Sequence, residues 1–206
     1  MTPSKPRFVQ TFTGRVIDLS NAKANDFSIQ DIGWALAHQC RFNGHVRGFY
    51  SVAAHSVEVS SRLLNLGHSD QALAGLLHDA AEAFLGDVPA PVKWFLRENT
   101  DDPDGRSTYD IIEEDFASAI FEKFCPNTVI DFDAIKAADQ AALFNEAKQL
   151  LTWPPAGLWS PPDTPTIPLN FVSAPPTHHF ELFMDTFVSL AGDEYDIEHE
   201  AWSWNL

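Results

Sequence analysis

The 206 residues predict a mostly α-helical single domain, and three patterns carry that prediction. Apolar side chains recur every three to four residues over several stretches, the spacing of one helix face. Glycines stand just past two of these stretches, at Gly67 and Gly86, where a left-handed helix stop is favoured. The two-residue rhythm of strands is confined to residues 8–19.

In chain order, FVQTFTGRVIDL at 8–19 alternates loosely about Gly14 and predicts a short hairpin. Ser28, with Asp31 three residues on, predicts a capping-box-like start to a helix reaching about Gln39. From Ser51 to Leu66, the positions Val52, Val57, Val59, Leu63 and Leu64 predict a second helix. Residues 70–85 carry the clearest helical pattern, with Leu73, Leu76, Leu77, Ala80, Ala81, Phe84 and Leu85 before the stop at Gly86. The following DVPAPVKW cannot extend that helix, because Pro89 and Pro91 lack the amide donor. After an acidic loop at Asp101–Asp104, helices are predicted over 107–124 and 133–151. Residues 153–176 are proline-rich and predict an extended arm, and Phe180, Leu182, Phe183, Phe187 and Leu190 mark a final helix at 178–191. The core of the domain is expected at about 28–151, with no internal repeat.

Composition narrows the function. Hydrophobic residues make up 45% of the chain, too many for wholesale disorder. No run approaches the ~18 apolar residues of a spanning helix, and the N-terminus lacks the apolar core of a secretory signal. Cys40 and Cys125 form no CxxC pair, so neither a disulfide scaffold nor a thiolate zinc site is expected, and the simplest compartment is the cytoplasm. The net charge of −16 repels polyanions and argues against a nucleic acid polymer as partner. A small anionic substrate remains compatible, because a metal ion and a few local cations reverse the potential inside one pocket.

The chemistry starts at His78-Asp79, in the middle of the strongest predicted helix. Adjacent helix positions point about 100° apart, so the pair would flank a site at the helix edge. Glu82 lies one turn further on, beside both. Three polar groups thus interrupt an apolar helix, and burying them unpaired would be costly. An isolated HD dipeptide more simply marks a solvent-facing edge. Here it has company: His55 on the preceding predicted helix and Asp139 on a later one, each among apolar neighbours. Imidazole and carboxylate together suit one divalent transition metal, with Mn, Fe, Co, Ni and Zn all open.

HSVEVS at 55–60, LLHDAAEAFLGDVPAPVKWF at 76–95 and IKAADQAALFNEA at 135–147 resemble the HD-domain phosphohydrolase superfamily, in particular its small bacterial 5′-deoxyribonucleotidase-like branch. The order is the family's: a His, the HD pair, then a distant Asp. The resemblance covers about residues 30–150 and includes the Glu three residues after the HD Asp and a GD-x-P-x-P-x-K segment, Gly86 to Lys93. It implies His55, His78, Asp79 and Asp139 as metal ligands, and Glu82 and Asp87 as catalytic groups. One of these two carboxylates would serve the attacking water and the other the leaving group. In the resembled branch an Arg followed by an aromatic residue, usually Trp, contacts the nucleotide. Arg41 matches that pattern and Phe42 departs from it. Arg41 is therefore expected at a phosphate or sugar, its alternative being a surface ion pair, and Phe42 at a base or sugar or else in the core. His45, with Arg47, and Lys93 are further candidates for phosphate contact. His38, His68, His178, His179 and His199 have no ligand-like spacing and are read as structural or exposed. Trp153, Trp159, Trp202 and Trp204 are expected to pack the arm or a dimer contact.

The expected activity is metal-dependent hydrolysis of a small nucleotide's phosphate ester, foremost a (deoxy)nucleoside 5′-monophosphate. The alternatives are a dNTP triphosphohydrolase or pyrophosphohydrolase, a non-catalytic nucleotide-binding protein on the same scaffold, and an interaction module using the proline-rich arm. Relatives in the resembled branch imply a possible homodimer, and no membrane partner is expected.

Overall fold

The structure, a computed structural model, describes residues 7–152, 161–163 and 173–192. Most of the proline-rich arm, Trp153, Trp159, His199, Trp202 and Trp204 lie outside the described residues. What is described is mostly helical, with one two-stranded antiparallel hairpin. Strands β1 (Phe8–Gln10) and β2 (Val16–Asp18) pair with Val9 opposite Ile17, and Ile17 is fully buried beneath them.

Helix α1 (Ile29–His38) begins at Ser28, but the expected capping box is not formed, since the Ser28 side chain caps no amide. Asp31 turns to the hairpin instead and accepts from the Thr13 amide at 2.7 Å and the Thr13 hydroxyl at 2.8 Å. A buried carboxylate is better satisfied by these two donors than by one amide of its own helix.

Helix α2 (Val52–Asn65) is the hub of the bundle and packs against α1, α3, α7 and α8. Ser51 caps it, accepting from the Ala54 amide at 3.1 Å. The helix predicted over 70–85 is not continuous. It divides into α3 (Ala72–Leu76) and α4 (Glu82–Leu85), joined by turns over residues 77–81. Bonds between residues three apart run through this join, from Ala80 N–H to Leu77 O (3.0 Å) and from Glu82 N–H to Asp79 O (3.0 Å). The Gly75 carbonyl, which Asp79 N–H would take in an unbroken helix, instead bonds His78 Nδ1 at 2.8 Å. A side chain has replaced a backbone partner, and the helix breaks there. Gly75 also lets α3 approach α2 closely, since a Cβ at that position would collide with Leu63.

Helix α5 (Ala90–Glu98) follows, a helix the periodicity did not reveal. Pro91 sits in its first turn, where the missing amide costs nothing. Helix α6 (Thr108–Phe124) carries a full capping box between Ser107 and Asp110. Helix α7 (Phe132–Leu150) is capped by Asp131. Helix α8 (Pro176–Ala191) buries Phe180, Phe183, Met184 and Phe187 against the bundle. The ends of α2, α6, α7 and α8 fall within two residues of the sequence expectation. Among the described residues no helix is long and apolar enough to cross a membrane.

Candidate metal centre

Three elements converge where α2 passes the join between α3 and α4. His55, one turn into α2, is fully buried. The turns at 77–81 place His78 and Asp79 beside the same cluster. Helix α7 supplies Asp139. Nε2 of His55 lies 3.0 Å from Asp139 Oδ1 and 3.5 Å from Asp79 Oδ2. Nε2 of His78 lies 3.2 Å from Asp79 Oδ2 and 3.9 Å from Asp139 Oδ1. Two donors each about 2.1 Å from one ion stand roughly 3–3.5 Å apart; three of these separations fall in that range and the fourth, at 3.9 Å, is longer. His55, His78 and Asp139 offer donor atoms that all lie within 4.8 Å of one another and could hold a metal ion.

The orientation of the rings points the same way. Nδ1 of His55 faces Glu146 Oε1 at 2.7 Å and Nδ1 of His78 faces the Gly75 carbonyl at 2.8 Å. Each Nδ1–H donates to a fixed acceptor, which leaves Nε2 directed into the cluster. Both Nε2 atoms are buried without a hydrogen-bond partner. Such atoms are costly unless something binds them, and a cation is what a neutral imidazole lone pair accepts.

Electrostatics add the same demand. Burial and Arg41 push His55 downward, but Glu146 and Asp139 outweigh them and raise it to about 10. His78 is also raised despite its burial, chiefly by Asp79. Asp79 and Asp139 are lowered against burial by the two imidazoles. The pocket requires positive charge, which a proton or a metal ion can supply.

Behind the cluster stands a residue absent from the sequence reading. Glu146, fully buried, accepts from His55 Nδ1, from Arg41 Nε at 3.0 Å and from Tyr50 OH at 3.0 Å. Burial acts to raise its carboxyl, yet Arg41 and His55 hold it down at about 2. A signal was present: Glu146 follows Asp139 by seven residues, two turns along one face of α7.

Arg41 is buried rather than a surface ion pair, with Nη1 3.7 Å from Asp79 Oδ2. Phe42 and Asn43 follow in left-handed conformations, φ 56° and 51°, and the guanidinium lies 5.6 Å from the Phe42 ring centre. This tight reversal lets Arg41 N–H bond back to the Tyr50 carbonyl at 3.0 Å. His45 is exposed at the end of the same turn.

The two candidate catalytic carboxylates flank α4. Glu82, at its first position, is buried and held well above the usual carboxylate range by burial and by the charges of Asp79 and Asp87. Asp87, half-buried just past Gly86, is raised mainly by burial. Lys93 bonds Glu113 Oε1 at 2.7 Å and stands 3.5 Å from Glu82 Oε1, so its charge is shared between two carboxylates. Glu113 is a second neighbour that sequence reasoning did not single out. Tyr109 OH donates to the Gly86 carbonyl at 3.0 Å and braces the α4–α5 link from α6.

No family model matches the chain. It is 33% identical over 189 residues to the uncharacterized protein YfdR of Escherichia coli, covering 89% of this chain and 96% of that protein. It is 34% identical over 154 residues to an uncharacterized protein of Rhodobacter capsulatus, covering 71% of this chain and 74% of that one.

Proposed function

The chain belongs to the family that includes YfdR, and we propose that it is an HD-type metal-dependent phosphohydrolase acting on the phosphate ester of a small nucleotide. The observation that carries the reading is the pair of bare Nε2 atoms aimed at Asp79 and Asp139, with acid–base groups and a buried guanidinium beside them. A metal ion alone could be structural; Glu82, Asp87 and Arg41 give the pocket the parts of a hydrolytic site.

His55, His78, Asp79 and Asp139 would hold the ion. A bound divalent cation supplies a lowered pKa for coordinated water and polarises a phosphoryl oxygen. Arg41, steadied by Glu146, turns its remaining guanidinium donors to the phosphate. Glu82, its carboxyl raised by burial and by Asp79 and Asp87, suits proton donation to the leaving oxygen. Asp87, more open to solvent, orients the attacking water and takes its proton. The substrate proposed first is a (deoxy)nucleoside 5′-monophosphate.

The test is a panel of NMPs, dNMPs and dNTPs with Mn, Co, Fe, Ni or Zn supplied, assaying free phosphate and triphosphate separately. Phosphate released from monophosphates is the expected result. Triphosphate released from dNTPs would reassign the leaving group. Protein with its metal site filled that turns over no member would overturn the enzyme reading.

A further inference from the structure

We infer that Gln39 is a positioning residue whose side-chain amide spans α4 and fixes Glu82 and Asp87 relative to one another. Its Nε2 donates to the Glu82 carbonyl at 2.9 Å, and its Oε1 accepts from the Asp87 amide at 2.8 Å. The two ends of one planar amide thus grip the first residue of α4 and the residue just beyond its stop. That stretch cannot hold its own shape. Helix α4 has four residues, far below the length at which a helix persists unaided, and it ends at Gly86 with φ 86°. Inside it, the Glu82 carbonyl accepts from Gly86 N–H at 2.8 Å, while Asp87 N–H lies one residue beyond that bond.

The grip is itself anchored. Gln39 caps α1 through its N–H to the Leu36 carbonyl (3.4 Å), and its own carbonyl accepts from Val52 N–H at 3.1 Å. Val52 opens α2, three residues before His55. One residue therefore joins the end of α1, the start of the helix carrying His55, and the arc carrying both carboxylates. Gln39 has no charge, so its effect on the carboxylates is one of placement. A side-chain amide is required because one partner is an acceptor and the other a donor.

The inference rests on the reading of Glu82 and Asp87 as catalytic groups, and its test separates the two. Gln39→Ala should speed exchange of the Asp87 amide hydrogen while leaving exchange in α2 and α7 unchanged. In the metal-loaded protein it should lower kcat on the order of 10- to 100-fold, with KM and metal affinity within about twofold, as small misplacements of reacting groups do. Gln39→Glu keeps the volume and the acceptor but loses the donor. It should retain protection of Asp87 yet still lower kcat, and it serves as the folded variant if the alanine chain does not fold. Unchanged Asp87 exchange in Gln39→Ala, or unchanged kcat with faster exchange, overturns the inference. So does a parallel loss of metal affinity and global stability, which would mark a purely structural residue. Wild-type protein inactive on every nucleotide would instead overturn the functional reading, while amide exchange still decides whether the grip exists.

Discussion

Removing Glu146 should damage folding and metal binding by different amounts, and the structure sets both scales. The carboxylate accepts from three buried partners at 2.7, 3.0 and 3.0 Å. In Glu146→Ala the dominant loss is the buried Arg41 guanidinium left without its closest counter-charge. Breaking one side of a buried pair costs about 3–5 kcal/mol, a large share of the 5–15 kcal/mol that holds a typical domain folded. Glu146→Gln keeps the shape and one oxygen acceptor but removes the charge, so a loss of about 1.5–3 kcal/mol is expected, the worth of a charged hydrogen bond. Metal affinity should fall roughly 10- to 100-fold in the glutamine variant, because His55 loses the carboxylate that orients its ring. That is about 1.4–2.7 kcal/mol at 1.36 kcal/mol per decade. Urea unfolding with and without metal, alongside calorimetric titration of Mn or Co, measures the two terms separately. A Glu146→Gln chain binding metal within twofold of wild type would refute the orienting role assigned to the carboxylate.

Other perturbations follow from the same geometry. Glu82→Gln should lower kcat by about 10²–10⁴ with metal retained, as loss of a general acid does; metal analysis beside the phosphate assay would expose any loss of the ion instead. Stripping the metal should lower thermal stability, and readdition at 100 times Kd should restore about 2.7 kcal/mol, read by thermal melts. His55 and His78 are both raised, so binding a cation must displace protons and affinity should weaken as pH falls. Titration in buffers of different ionisation enthalpy detects that release. Asp110→Asn should cost about 1–2 kcal/mol through the capping box of α6 and the 2.8 Å bond to Arg97. Arg97 holds the Asp110 carboxyl down at about 2 from an ordinary 3.8. Its contribution is therefore complete above pH 3.8 and lost as pH falls through 2, which acid unfolding of the two chains compares.

Much of the helical frame can be read from residue spacing, because α2, α6, α7 and α8 each bury one periodic face. The break at 77–81 is hidden by the same rule. Leu77, Ala80 and Ala81 are apolar and buried whether the backbone is helical or turned, so their pattern is silent about the hydrogen bond that His78 takes from it. Helix α5 escapes for the opposite reason: it has no buried residue to leave a stripe. His55, His78, Asp79 and Asp139 stand out because imidazole and carboxylate interrupt apolar helices; the structure groups His55, His78 and Asp139 where they could hold an ion, with Asp79 Oδ2 within 3.5 Å of both imidazoles. Glu146 sits beside Asn145 and Lys148, where a glutamate resembles an ordinary polar helix end. Gln39 is harder still, since a neutral side chain bonded to backbone leaves no trace in composition.

The span between Arg41 or His55 and their partner Glu146, 105 and 91 residues, also orders events during synthesis. Closing a loop of about 91 residues costs roughly 4 kcal/mol in chain entropy before any contact compensates it. As the chain emerges, the first histidine and the guanidinium are made long before the carboxylates of α7. Until α7 docks, His55 and Arg41 lack Glu146, the carboxylate nearest to both. With the ligands proposed above, metal capture would wait for Asp139 on α7, and a bound ion would report that α2 and α7 have met.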